Sequence, residues 1–162
     1  MSKYLITAIL LLLFGKQVLS QPKHQIDGLL SAVCLTQNSK DIIKSKPAKK
    51  LMLYGKNLLP TLVDFFKDTT LTLVKSDCQG RFLNRGEVAI IIADHIELMP
   101  YFTVTGIQNC TLEFCPNNPN LIEFYLNAIK HDGIASFCKK YSAWLNSDER
   151  KKWPPHSKTL AK

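Results

Sequence analysis

Asp94, His95 and Glu97 lie close together and have the side chains that acid–base chemistry uses. A histidine carries protons near neutral pH, and a carboxylate orients it or takes the proton onward. Their spacing limits what they can do. At about 100° per residue along a helix, His95 falls in the middle of an apolar face. Asp94 and Glu97 fall on the polar side, about 60° apart. The expectation is a buried helix histidine bonded to a neighbouring carbonyl or hydroxyl, with both acids facing away from it. A serine hydrolase would need a Gly-x-Ser-x-Gly elbow, which is absent. A Cys-His enzyme would need one thiol kept reduced beside a histidine. No residue is assigned a catalytic role; His95 is a candidate site residue only as a proton carrier or pH-sensitive contact in a cleft.

His131-Asp132 resembles the metal-binding His-Asp pair of phosphohydrolase domains, which also use separated histidines and a distal aspartate. The other histidines are His24, His95 and His156. A helix C-terminus explains Lys130 to Gly133, with basic residues in the last turn and glycine after it. The five cysteines, Cys34, Cys78, Cys110, Cys115 and Cys138, show no Cys-x-x-Cys and no paired Cys/His spacing. Neither a metal nor a cofactor is expected. In an oxidising compartment these cysteines are disulfide candidates, and two bridges leave one thiol over. Cys78 and Cys110 bracket a long helix in loop-like contexts and are the favoured pair. The other pairings stay open.

Residues 1–20 read as a secretory signal. Lys3 is the positive start, Leu5 to Phe14 the apolar stretch, and Val18 and Ser20 precede a cut before Gln21. The apolar run is short of the roughly 20 residues that span a bilayer. No comparable run recurs, so the mature chain is expected to carry no transmembrane segment. Removing residues 1–20 takes away two lysines and no acid, so the formal charge falls from +8 to +6. The lysines are spread over the chain without a groove-reading or aromatic-interleaved stripe, which argues against nucleic acid.

The elements that must hold these residues read as helices. Ile26, Leu29, Leu30 and Val33 mark a first one. Pro47 opens a second that Gly55 ends, and Pro60 opens a third. The alternation of Leu71 and Leu73 with threonines is an extended segment near 70–76. Asn84 and Glu87 form a capping box for a helix through Met99, the most apolar in the chain. Helices through Ile129 and from Ile134 to Leu145 follow. The expected fold is all-α: one compact, disulfide-capable bundle of five or six helices over 21–152, with a mobile tail over 153–162. Core packing is the first expectation for Tyr101, Phe102, Trp144 and Trp153; the alternative is a binding surface, since exposed aromatics beside Asn/Pro-rich loops suit one.

LMLYGKNLLPTLVDFFKD, residues 51–68, resembles one helix pair of a HEAT-type repeat, with no second copy in the chain. Asp77 to Cys110, with RFLNRGEVAIIIADHIELMPYF, resembles a recurring type of secreted bacterial helical protein with no assigned activity. Asn-Pro-Asn-Leu-Ile-Glu-Phe-Tyr and Trp144 belong with it. That resemblance implies an exported protein, periplasmic or extracellular, and nothing catalytic. The expected function is a non-enzymatic binding or inhibitor module with a protein partner, an immunity-type protein being one concrete form. The alternative is a small cell-envelope hydrolase using His95 or a carboxylate. The odd cysteine leaves room for a homodimer. Intact-mass analysis of the protein exported by a bacterial host is expected to give a chain beginning at Gln21, and an unprocessed chain would contradict the signal reading.

Overall fold

The computed structural model describes residues 23–108, 115 and 117–153. The expected signal segment, Cys110 and the tail beyond Trp153 lie outside the described residues. The chain is mostly helical: α1 Lys23–Val33, α2 Lys46–Leu53, α3 Leu59–Phe65, α4 Arg85–Ile96, α5 Tyr101–Thr105, α6 Leu126–Asp132, α7 Ile134–Leu145 and α8 Asp148–Lys151. Turns of 3-10 helix cover Ser39–Lys44, Gly55–Leu58 and Leu121–Tyr125.

The fold is mostly α but not strictly all-α. The extended segment is a strand, β1 Leu71–Ser76, and it pairs antiparallel with β2 Arg81–Asn84 across a turn that Gly80 closes at φ 63°. Val74 and Ser76 point inward while Leu71, Leu73 and Lys75 point out. The free edge of β1 is also engaged, because Leu73 and Lys75 donate backbone hydrogen bonds to Cys34 and Gln37. β2 escapes sequence reading because four residues, two of them Arg and Asn, carry little period-2 signal.

α4 is the centre. Asn84 accepts from the Glu87 amide and Glu87 accepts from the Asn84 amide, so the capping box forms as its residues suggest. Glu87 also takes a bidentate pair from Arg81 on β2. From Gly86 to Asp94 every residue is buried. Its first turn lies against the end of α3, where the Gly86 amide donates to the Asp68 carbonyl at 2.8 Å. A Cβ on Gly86 would sit 2.2 Å from the Phe66 carbonyl oxygen. Arg85 fastens the same corner: it donates to Asp27 of α1 and to Asp68, with its guanidinium 5.0 Å from the Phe65 ring centre.

α2 packs mainly on α1 and α3 mainly on α4, so the two helices of the HEAT-like stretch each have another principal neighbour. Pro47 and Pro60 occupy first-turn positions, where a missing N–H costs nothing. α4 ends at Ile96, three residues before Met99, because Glu97 turns extended at φ −149°, ψ 119°. The chain then re-enters a helix at α5, which Gly106 ends at φ 75°.

Gly86→Ala is expected to lower stability by about 1–3 kcal/mol, since a backbone carbonyl cannot swing aside as a side chain can. Urea denaturation would measure it, and a midpoint equal to wild type would contradict the close approach.

Candidate functional site

His95 and the two acids come out inverted relative to the expectation. Asp94 and Glu97 are each only 3 % exposed, while His95 is half-buried. A projection assumes that the polar side of a helix faces water, but α4 is covered on all sides. Its acids instead find polar partners inside. The Asp94 carboxyl accepts from the Met99 amide and from the Tyr101 hydroxyl, both at 2.9 Å. Burial pushes it up to about 7, against which those two hydrogen bonds work. Glu97 sits between Lys56 and Arg150, the latter donating Nε and Nη2 at 2.9 and 2.8 Å.

His95 Nε2 lies 2.8 Å from Asn120 Oδ1. Asn120 Nδ2 donates to the Ser39 carbonyl at 2.8 Å and to Glu123 Oε1 at 2.7 Å, so its amide is fixed in orientation and Oδ1 must accept. Nε2 therefore donates to Asn120 Oδ1. The other Glu123 oxygen accepts from Ser76, whose oxygen accepts from the Gln79 amide, and Gln79 Nε2 donates to the Glu123 carbonyl. Ser76, Asn120 and Glu123 are fully excluded from solvent. This polar hub joins the turn after Asn38, the hairpin, the end of α4 and the Leu121–Tyr125 turn. No sequence motif marks it, because its members come from four separated segments.

The disulfide caps the hub. Cys78, in the hairpin turn, pairs with Cys115 rather than with the favoured Cys110. Loop context alone could not separate two cysteines five residues apart. Asn118 donates to Cys78 Sγ and accepts from the Asn120 amide, which joins the bridge to the hub. Cys34 and Cys138 are buried thiols. Burial pushes Cys34 up to about 11, with Arg85 opposing, and raises Cys138 as well.

Three of the four candidate surface aromatics meet at one depression. Tyr101, Phe102 and Trp153 line it with Met99, Pro100, Ile107 and Tyr125, around a volume of about 250 Å³. Phe102 is 64 % exposed, whereas Tyr101 stacks on Tyr125 with ring centres 4.6 Å apart. Trp153 Nε1 donates to the Leu98 carbonyl. Trp144 is a correction to the surface alternative: it is 3 % exposed and belongs to the core, where it supports Trp153 edge-on at 5.9 Å. The helical period of α7 places it with Tyr141 and Phe137, in line with the core expectation.

Sequence reading missed a second exposed apolar surface. Leu71, Leu73 and Phe82 stand out from the hairpin, and Leu35 is exposed on the segment bonded to β1. The signal was present in the alternation of Leu71 and Leu73. His131 and Asp132 contact each other at 3.1 Å, exposed at the end of α6. Among the described residues, no three His, Cys, Asp or Glu side chains are grouped to hold a metal ion. No described helix is long and apolar enough to cross a membrane.

No family model matches the chain, and no curated protein or solved structure matches it significantly.

Asn120→Ala would leave the Glu123 carboxylate and the Ser39 carbonyl each short of a donor in a site closed to bulk solvent. The expected loss is about 2–4 kcal/mol by thermal or urea unfolding, since each orphaned buried group costs roughly 1–3 kcal/mol. A loss within the range of a surface substitution would show that the hub holds nothing together.

Proposed function

We propose that the chain is an exported, non-enzymatic binding module that engages a protein partner through the groove at Tyr101, Phe102 and Trp153. An inhibitor of the immunity type is its most concrete form. The observation that carries the reading is Phe102, a large apolar ring left in solvent at the rim of an aromatic depression on a firmly packed base. Drug-sized ligands fill pockets of about 300–1,000 Å³. A depression near 250 Å³ suits one anchoring side chain of a partner, which is how most interface energy is delivered. The disulfide and the hub keep the hairpin and the Leu121–Tyr125 turn in place, so Tyr125 is held as part of the groove.

The hydrolase alternative asks for His95 and a carboxylate to converge in an open cleft. Asn120 holds Nε2, and Glu123 lies behind Asn120 out of solvent. None of the residues lining the groove is His95. Nothing in this arrangement favours that reading over the module.

A photo-crosslinking residue placed at Phe102, compared with one at Leu73, tests the groove in the exporting cell. A stoichiometric adduct from position 102, lost when Trp153→Ala is added, is the expected result. Adducts from position 73 alone would move the contact to the hairpin face. No adduct from either position, across several growth conditions, would count against the module itself.

A further inference from the structure

The groove and the buried acid are parts of one joint. Asp94 ends the buried run of α4, and the two groups bonded to its carboxyl, the Met99 amide and the Tyr101 hydroxyl, belong to residues that line the groove. Pro100, between them, is buried and lines it too. The connection between α4 and α5 is short, and Asp94 is its polar clamp. On the far side Trp153 holds the Leu98 carbonyl.

Among the described residues, no charged side chain is paired with this clamp. From α5 it meets Tyr101, from the Leu121–Tyr125 turn Tyr125, and from α7 Tyr141. Each of the three tyrosines is shifted upward by burial first and by Asp94 second. The hydroxyls of Tyr125 and Tyr141 are buried without a hydrogen-bond partner among the described residues. Glu97, on the turn that follows α4, already engages Lys56 and Arg150. His95 bonds Asn120 instead. An ionised Asp94 is therefore a buried negative charge with two donors and, among the described residues, no cation, an arrangement that a protein interior disfavours.

We infer that Asp94 is a pH-responsive latch: with its proton on, it closes the α4–α5 joint, and loss of that proton loosens the joint and the groove wall formed by Met99 to Phe102. The sign follows from linkage. The closed form holds its proton up to about pH 7, whereas a hydrated aspartate has lost it above about 3.8. The closed form binds more protons across that window, so its advantage over any opened, hydrated form shrinks as pH rises from about 4 to 7 and is level above. One titrating group changes the opening equilibrium by up to about tenfold per pH unit. The latch adds regulation to the groove reading and rests on it only for its effect on binding.

Hydrogen–deuterium exchange of the full chain between pH 4.5 and 8.5, corrected for the intrinsic exchange rate, measures the opening directly. The expected result is an opening constant for peptides covering 98–103 that rises roughly tenfold per pH unit up to about pH 7 and then levels. In Asp94→Asn the slope disappears. Tyr101→Phe removes a donor to the carboxylate and moves the midpoint upward, a change that a merely structural role would not produce. It also serves if Asp94→Asn does not fold. A flat profile in the wild-type chain, or an unchanged slope in Asp94→Asn, would overturn the latch. A sloping profile with no cross-link at position 102 would leave the latch standing and remove the groove as the contact surface.

Discussion

From Gly86 to Asp94 the chain excludes water on every side of the helix, and the rest of the molecule is arranged around that fact. A helix with no wet face cannot place polar groups by rotation. It can only tolerate them at its ends, where backbone donors and neighbouring elements supply partners. At the start, Glu87 closes the capping box and takes Arg81, while Gly86 lets the helix reach the backbone after α3. At the finish, Asp94, His95 and Glu97 each turn to a different neighbour: the α5 connection, Asn120, and the Lys56–Arg150 pair. Three chemically suggestive residues in four positions thus serve three separate joints.

That is also why the sequence was legible in some places and not in others. Asn84 with Glu87, the prolines at the starts of α2 and α3, and Gly133 after α6 are local signals, settled within a turn of chain, and the structure reproduces them. The faces of α4 were not legible, because an amphipathic projection supposes one solvated side. Asp94 and Glu97 were set on that side and lie inside instead. Trp144 is the opposite case: the period of α7 sets it with Phe137 and Tyr141, and it is buried there. The hub was illegible for a different reason. Ser76 and Glu123 lie 47 residues apart, and neither stands in a pattern with the other.

The hub and the disulfide do related work by different means. The bridge between Cys78 and Cys115 restricts the open chain by closing a long loop. The hydrogen bonds through Asn120 and Glu123 act only in the folded state, where they fix how the hairpin and the Leu121–Tyr125 turn sit against α4. Together they hold still the elements that support the groove. The outer face of the hairpin and Phe102 stay exposed.

The two buried thiols carry a consequence for how oxidation proceeds. Exchange with an oxidant requires thiolate, and at pH 7 a thiol near 11 is ionised in about one molecule in ten thousand. Once the helices have closed over them, Cys34 and Cys138 are withdrawn from the competition for partners. Cys110 and Cys115 are then the partners left to compete for Cys78. A chain whose core forms before the oxidant arrives has fewer mistakes open to it than one oxidised while still unfolded.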